Sequence, residues 1–180
     1  MNKHYQFFIY GFLLFICVLP LENYLLSLAF MGFLIMAIGI SHFEMYMNHG
    51  RRLQSLAYAN AAYNFALLFA YPMFQNHVSF IFQLIYSIVF VVFTLSKVYL
   101  FYELMKFFED ICLVPDMTLS QNFNALKLTF PAALLLSDLL LISKYWVNAD
   151  WLDYGHIFFS VFAFFVELRV LFNIHKLTKM

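Results

Sequence analysis

Polar and apolar positions in this chain fall into long blocks, without the two-residue alternation of a half-buried strand. Apolar stretches cover about residues 7–19, 24–40, 53–71, 78–96, 128–147 and 152–174. A helix crosses the hydrocarbon with roughly 20 predominantly apolar residues, and most of these stretches come near that length. Lipid offers no partner for a free backbone N–H or C=O, so an open chain crosses it only as continuous helix. The pattern predicts an all-α polytopic integral membrane protein, one domain over residues 1–180, with six transmembrane helices in three hairpins. Residues 98–127 break the pattern. There the fourth helix is expected to run on into the cytoplasm and stop before Pro115, with a polar connector over Asp116 to Asn124.

Composition agrees with a bilayer as solvent. Hydrophobic residues make up 64% of the chain and charged residues 11%, more apolar surface than a soluble domain of 180 residues can hide. The basic residues orient the spans. Lys3, Arg51, Arg52, Lys97, Lys106, Lys127, Arg169, Lys176 and Lys179 fall on one side, and Lys144 alone on the other. That bias predicts an inner-membrane protein with both termini cytoplasmic. Tyr145, Trp146, Trp151 and Tyr154 cluster at the opposite edge, as an aromatic belt does. The first span follows Lys3 and His4 but lacks a small-residue cleavage site, so it is read as a retained helix. A formal net charge of zero argues against nucleic acid as a partner.

At about 100° per residue, polar side chains sort onto single faces. In the fourth span Ser79, Gln83, Ser87, Thr94 and Lys97 form one stripe. In the sixth, His156, Ser160 and Glu167 share a face that Arg169 avoids. Asn60, Asn64 and Tyr71 align in the third, Asp138 stands in the fifth, and Tyr10 and Cys17 lie on the first. This sorting predicts a bundle with a partly polar interior. Asp138, Asn64, Ser87 and Tyr10 fall roughly 13–15 Å below the outer ends, near the midplane. A carboxylate there costs about 2.5–3.5 kcal/mol, so Asp138 is expected to face protein or water and to be protonated or paired. Glu167 is expected to turn toward Thr94 and Lys97. The commoner role of such Asn, Gln and Ser residues is to hold helices together. Ala62, Ala66 and Ala70 on the third span, and Gly32 and Gly39 on the second, have spacings that let helices approach closely.

Recognisable chemistry is absent. The six histidines include only one pair, His77 and His156, at a comparable depth, without ligand-like context; no metal and no cofactor is expected. Cys17 and Cys112 lie toward opposite faces, too far apart for a disulfide. Nucleophile-elbow, zinc-protease and phosphate-loop motifs are missing. Two main functional classes remain. One is a non-enzymatic anchor, sensor or regulatory subunit acting through its cytoplasmic helix, where Phe101, Leu104, Phe107 and Phe108 would dock on a partner, a sister copy or the headgroup layer. The other is a small-solute, ion or proton pathway, with Asp138 and Glu167 as working carboxyls and His156, Ser160, Asn64, Ser87, Gln83, Tyr10 and Lys97 beside them. A membrane enzyme with dispersed residues is the third alternative. Expected partners are the lipid bilayer, a second copy, or a membrane or cytosolic protein.

Overall fold

The computed structural model describes residues 4–16, 18–21, 24–47, 49–74, 79–144, 146–147 and 149–179. Lys3, Cys17, His77 and Tyr145 lie outside the described residues, as do the side chains of Ala70 and Tyr71. The fold is helical, with α1 (Tyr5–Ile16), α2 (Ala29–His42), α3 (Gly50–Phe74), α4 (Phe80–Cys112), α5 (Met117–Lys144) and α6 (Asp150–Leu177). Between α1 and α2 the chain forms an antiparallel hairpin of β1 (Val18–Leu21) and β2 (Tyr24–Ser27), with Leu19 opposite Leu26 and Pro20 opposite Leu25. The chain divides into two compact units. One comprises Met1–Gln75 with Val170–Met180; the other is Asn76–Arg169.

In the first unit, α1 and α2 are shorter than the spans expected over 7–19 and 24–40. Pro20 has no N–H to donate and pushes Leu19 toward extended backbone, so the helix ends before it and Val18–Leu21 is a strand. At 12 and 14 residues, α1 and α2 are about 18 and 21 Å long. They meet backbone to backbone. A Cβ placed on Gly32 would lie 2.6 Å from the Gly11 carbonyl oxygen and 3.0 Å from the Phe15 nitrogen. The turn into α3 bends through His49, at φ 63°. Along α3, Leu53, Ala57, Asn60 and Ala61 are buried, whereas Ala62 and Ala66 are exposed. The expected small-residue packing face is therefore not the one this chain buries.

The second unit is built on α4 and α5, about 50 and 42 Å long. They run antiparallel, and their partners march in opposite directions along the seam. Phe80 packs on Trp146 at 5.6 Å, Phe101 on Phe130 at 5.0 Å, and Phe108 on Phe123 at 5.3 Å. The expected polar connector is instead the first part of α5. Asp116 caps it, accepting from the Leu119 backbone N–H at 3.0 Å and from Thr118 Oγ1 at 2.6 Å. Leu119, Phe123 and Leu126 then recur at helical spacing and are buried. Pro131 sits inside α5 and withholds the N–H that the Lys127 carbonyl would otherwise accept.

Three helices, α4, α5 and α6, are long and apolar enough to cross a membrane. Their outward surfaces fit that solvent. Phe82, Ile85, Ile88 and Val92 on α4, and Phe158, Val161 and Phe165 on α6, are exposed. No aqueous surface carries so continuous an apolar face without cost.

Candidate functional site

Polar residues of the second unit gather along the α4–α5 seam and between α5 and α6. On α4, Thr94 and Lys97 are one turn apart and share a face. Both meet Asp138 of α5: Lys97 Nζ bonds Oδ2, and Thr94 Oγ1 donates to the same oxygen at 3.1 Å. The lysine and aspartate side chains are each 16% exposed. In so dry a setting an ion pair offsets its desolvation only with good geometry and added hydrogen bonds, and the threonine supplies one.

This pairing corrects one expectation. Lys97 was expected to meet Glu167, and it is bonded to Asp138 instead. The reason is stagger: α4 overhangs the C-terminal end of α5 by about two turns, which lowers Asp138 to the level of Thr94 and Lys97. Glu167 makes no ion pair with Lys97 among the described residues. It is buried, 4% exposed, and its Oε1 has no hydrogen-bond partner among the described residues.

A second cluster joins α5 to α6. Ser137 is next to Asp138 and therefore turned about 100° from it, toward the other neighbour. Its Oγ lies 2.8 Å from Ser160 Oγ and 3.2 Å from His156 Nδ1. His156 Nδ1 also lies 3.0 Å from the Ser137 carbonyl oxygen. A carbonyl only accepts, so Nδ1 carries a proton in this arrangement. The sequence reading placed His156, Ser160 and Glu167 on one face but missed Ser137. Its signal was there, since a polar residue beside Asp138 has to point at a different helix.

The remaining expected residues divide. Ser87 Oγ donates to the Gln83 carbonyl at 2.8 Å and accepts from Trp146 Nε1 at 2.9 Å, tying α4 to the residues after α5. Gln83 itself is half-buried. Asn64 Nδ2 donates to the Asn60 carbonyl at 2.8 Å, within its own helix in the first unit. Tyr10 is 53% exposed on α1. Asn64 and Tyr10 thus belong to a different unit from Asp138 and Glu167.

The docking residues require a correction too. Phe101, Leu104, Phe107 and Phe108 are all buried within the chain; Phe101 and Phe108 pack at a tilt against Phe130 and Phe123 of α5. An apolar stripe along a helix asks for a partner helix, and α5 is that partner. Near this end of the hairpin, Lys127 Nζ bonds Glu109 Oε2 at 2.6 Å, and Ser120 Oγ donates to the Glu109 carbonyl at 3.1 Å. What stays open is the tip, where Leu113, Val114 and Met117 are exposed.

Cys112 is buried beside that tip. Among the described residues no group of three or more His, Cys, Asp or Glu could hold a metal ion. No protein-family model, curated protein or solved structure matches this chain.

Proposed function

We propose that this chain is a non-enzymatic integral membrane protein, an anchor, sensor or regulatory subunit, that presents the tip of the α4–α5 hairpin to a partner. The observation that carries the reading is the hairpin itself. Both helices exceed the roughly 30 Å of hydrocarbon they would cross, so part of the arm stands clear of it. That arm is stiffened by the Phe101–Phe130 and Phe108–Phe123 pairs and the Glu109–Lys127 bridge, and it ends in exposed Leu113, Val114 and Met117. The basic bias supports a cytoplasmic position for this end in an inner membrane.

In the six-span form of this proposal, α1 and α2, about 18 and 21 Å long, cross by locally thinning the bilayer. The hairpin edges then lie at the outer headgroups, where water satisfies their free N–H and C=O groups. The partner is a second copy of the chain or another membrane or cytosolic protein. A photo-crosslinking residue at Val114 in native membranes should give one discrete protein adduct, and the same residue at lipid-facing Phe82 should give none. Lipid adducts alone at both positions would sink the docking role.

A second reading, a pathway for protons or other small ions, draws support from Glu167. A buried carboxyl with an oxygen left unbonded is an expensive thing to keep for helix packing alone. The commitment of Asp138 to Lys97 favours the subunit reading over it.

A further inference from the structure

One face of the α4–α5 hairpin carries a groove of about 350 Å³. Leu95 and Val98 line it from α4, and Pro131 and Leu135 from α5. Because the two helices run antiparallel, Tyr102 and Lys127 border one end, and Leu95 and Leu135 the other. Ala132 in its wall leaves room that a longer side chain would take. From Lys127 to Leu135 the groove runs about 12 Å along α5, most of the roughly 15 Å of one hydrocarbon leaflet. In a bilayer, what meets so apolar a slot is an acyl chain.

The polar end decides which lipid. Lys127 Nζ donates to Glu109 Oε2 at 2.6 Å, and an ammonium has two more hydrogens to give. The Lys127 carbonyl loses its usual helix donor to Pro131, and the Glu109 carboxylate has further lone pairs. A cationic donor and an anionic acceptor thus stand side by side at the mouth of the slot. Over residues 98–127 the acids Glu103, Glu109, Asp110 and Asp116 outnumber the bases Lys106 and Lys127. That balance disfavours a headgroup of net negative charge and favours one that brings its own ammonium.

We infer that this groove is a binding site for phosphatidylethanolamine. One acyl chain fills the slot between Leu95 and Leu135. The phosphate accepts from Lys127 and from the Tyr102 hydroxyl, and the primary ammonium donates to Glu109 and the Lys127 carbonyl. A trimethylammonium headgroup has no N–H for those two acceptors. A glycerol headgroup leaves the phosphate charge uncompensated beside Glu109. The site rests on α4 and α5 crossing the bilayer and not on docking at the hairpin tip, so the crosslinking test at Val114 can fail while it stands.

The experiment places the full chain in phosphatidylcholine vesicles with a trace of phosphatidylethanolamine that carries a diazirine in one acyl chain. After illumination, adducts are mapped by mass spectrometry. They should concentrate at Leu95, Val98 and residues 131–135, above the level on lipid-facing Phe158 and Phe165 of α6. Unlabelled phosphatidylethanolamine should suppress the groove adducts at about one-tenth the mole fraction that phosphatidylglycerol needs, a ratio that one charge-assisted hydrogen bond supplies. Ala132→Phe should remove the groove adducts and leave those on α6; Ala132 is exposed, and circular dichroism checks that the fold persists. Replacing both partners of the ion pair, Glu109→Gln with Lys127→Met, should abolish the preference between the two competitors. Equal labelling of groove and α6, or equal competition by the two lipids in wild type, would reduce the groove to ordinary lipid-facing surface and overturn the site. Adducts nowhere on the chain would overturn bilayer residence and the site together.

Discussion

At the scale of single residues, position along a helix is read from sequence more easily than partnership. The stripe of Ser87, Thr94 and Lys97 on α4 follows from the 3.6-residue period, and all three turn toward α5 or its end. The identity of the carboxyl that Lys97 meets does not follow, because it depends on how far α4 and α5 are staggered, and no local preference encodes a stagger. Adjacent residues on α5 bind different helices, Ser137 to α6 and Asp138 to α4. The ion pair has a measurable consequence. Removing one partner leaves a charge alone in a dry site, at a cost of about 3–5 kcal/mol. Asp138→Leu should therefore lower the denaturation midpoint in detergent sharply. Combining it with Lys97→Met, so that apolar groups replace both charges, should recover most of the loss. Strictly additive losses in that double-mutant cycle would mean that the two side chains do not meet.

At the scale of elements, apolar pattern gave helices their places but not always their ends or neighbours. Phe101, Leu104 and Phe108 recur at helical spacing, which says only that something apolar covers them. The sequence cannot tell this chain's own α5 from a foreign helix. Helical character in Met117–Asn124 was legible in Leu119, Phe123 and the Asp116 cap, but the polar residues between them resembled a connector. The α1–α2 pair was legible through its glycines, and its shortness was not, because a strand in an apolar stretch has the same composition as a helix. Close approach at Gly32 gives the test. A methyl there would press on the Gly11 carbonyl and the Phe15 backbone, which cannot move aside as a flexible side chain can. Gly32→Ala should destabilise by about 1–3 kcal/mol. Gly155→Ala should be nearly neutral, since its Cβ would meet only the movable ends of Leu140, at 3.2 and 3.7 Å. Equal melting shifts for the two variants would remove backbone contact as the reason.

At the scale of the whole molecule, bilayer residence is the property most legible from sequence, and the number of crossings the least. Three helices are long and apolar enough to cross, α1 and α2 are about 18 and 21 Å, and α3 carries Asn60 and Asn64 along its length. Six crossings and three crossings differ in where the residues between α1 and α2 emerge. The nine-to-one distribution of Lys and Arg favours six, with both ends of the chain and the α4–α5 tip on the cytoplasmic side. Single cysteines in a chain freed of Cys17 and Cys112 separate the cases. An impermeant thiol reagent applied to intact cells should label Glu22→Cys and Trp151→Cys, and should reach Val114→Cys and Arg51→Cys only after the cells are opened. Labelling at Trp151 without labelling at Glu22 would indicate that α1 and α2 turn back within the membrane. Labelling of Val114 in intact cells would reverse the orientation, and with it the side on which the hairpin tip could find a partner.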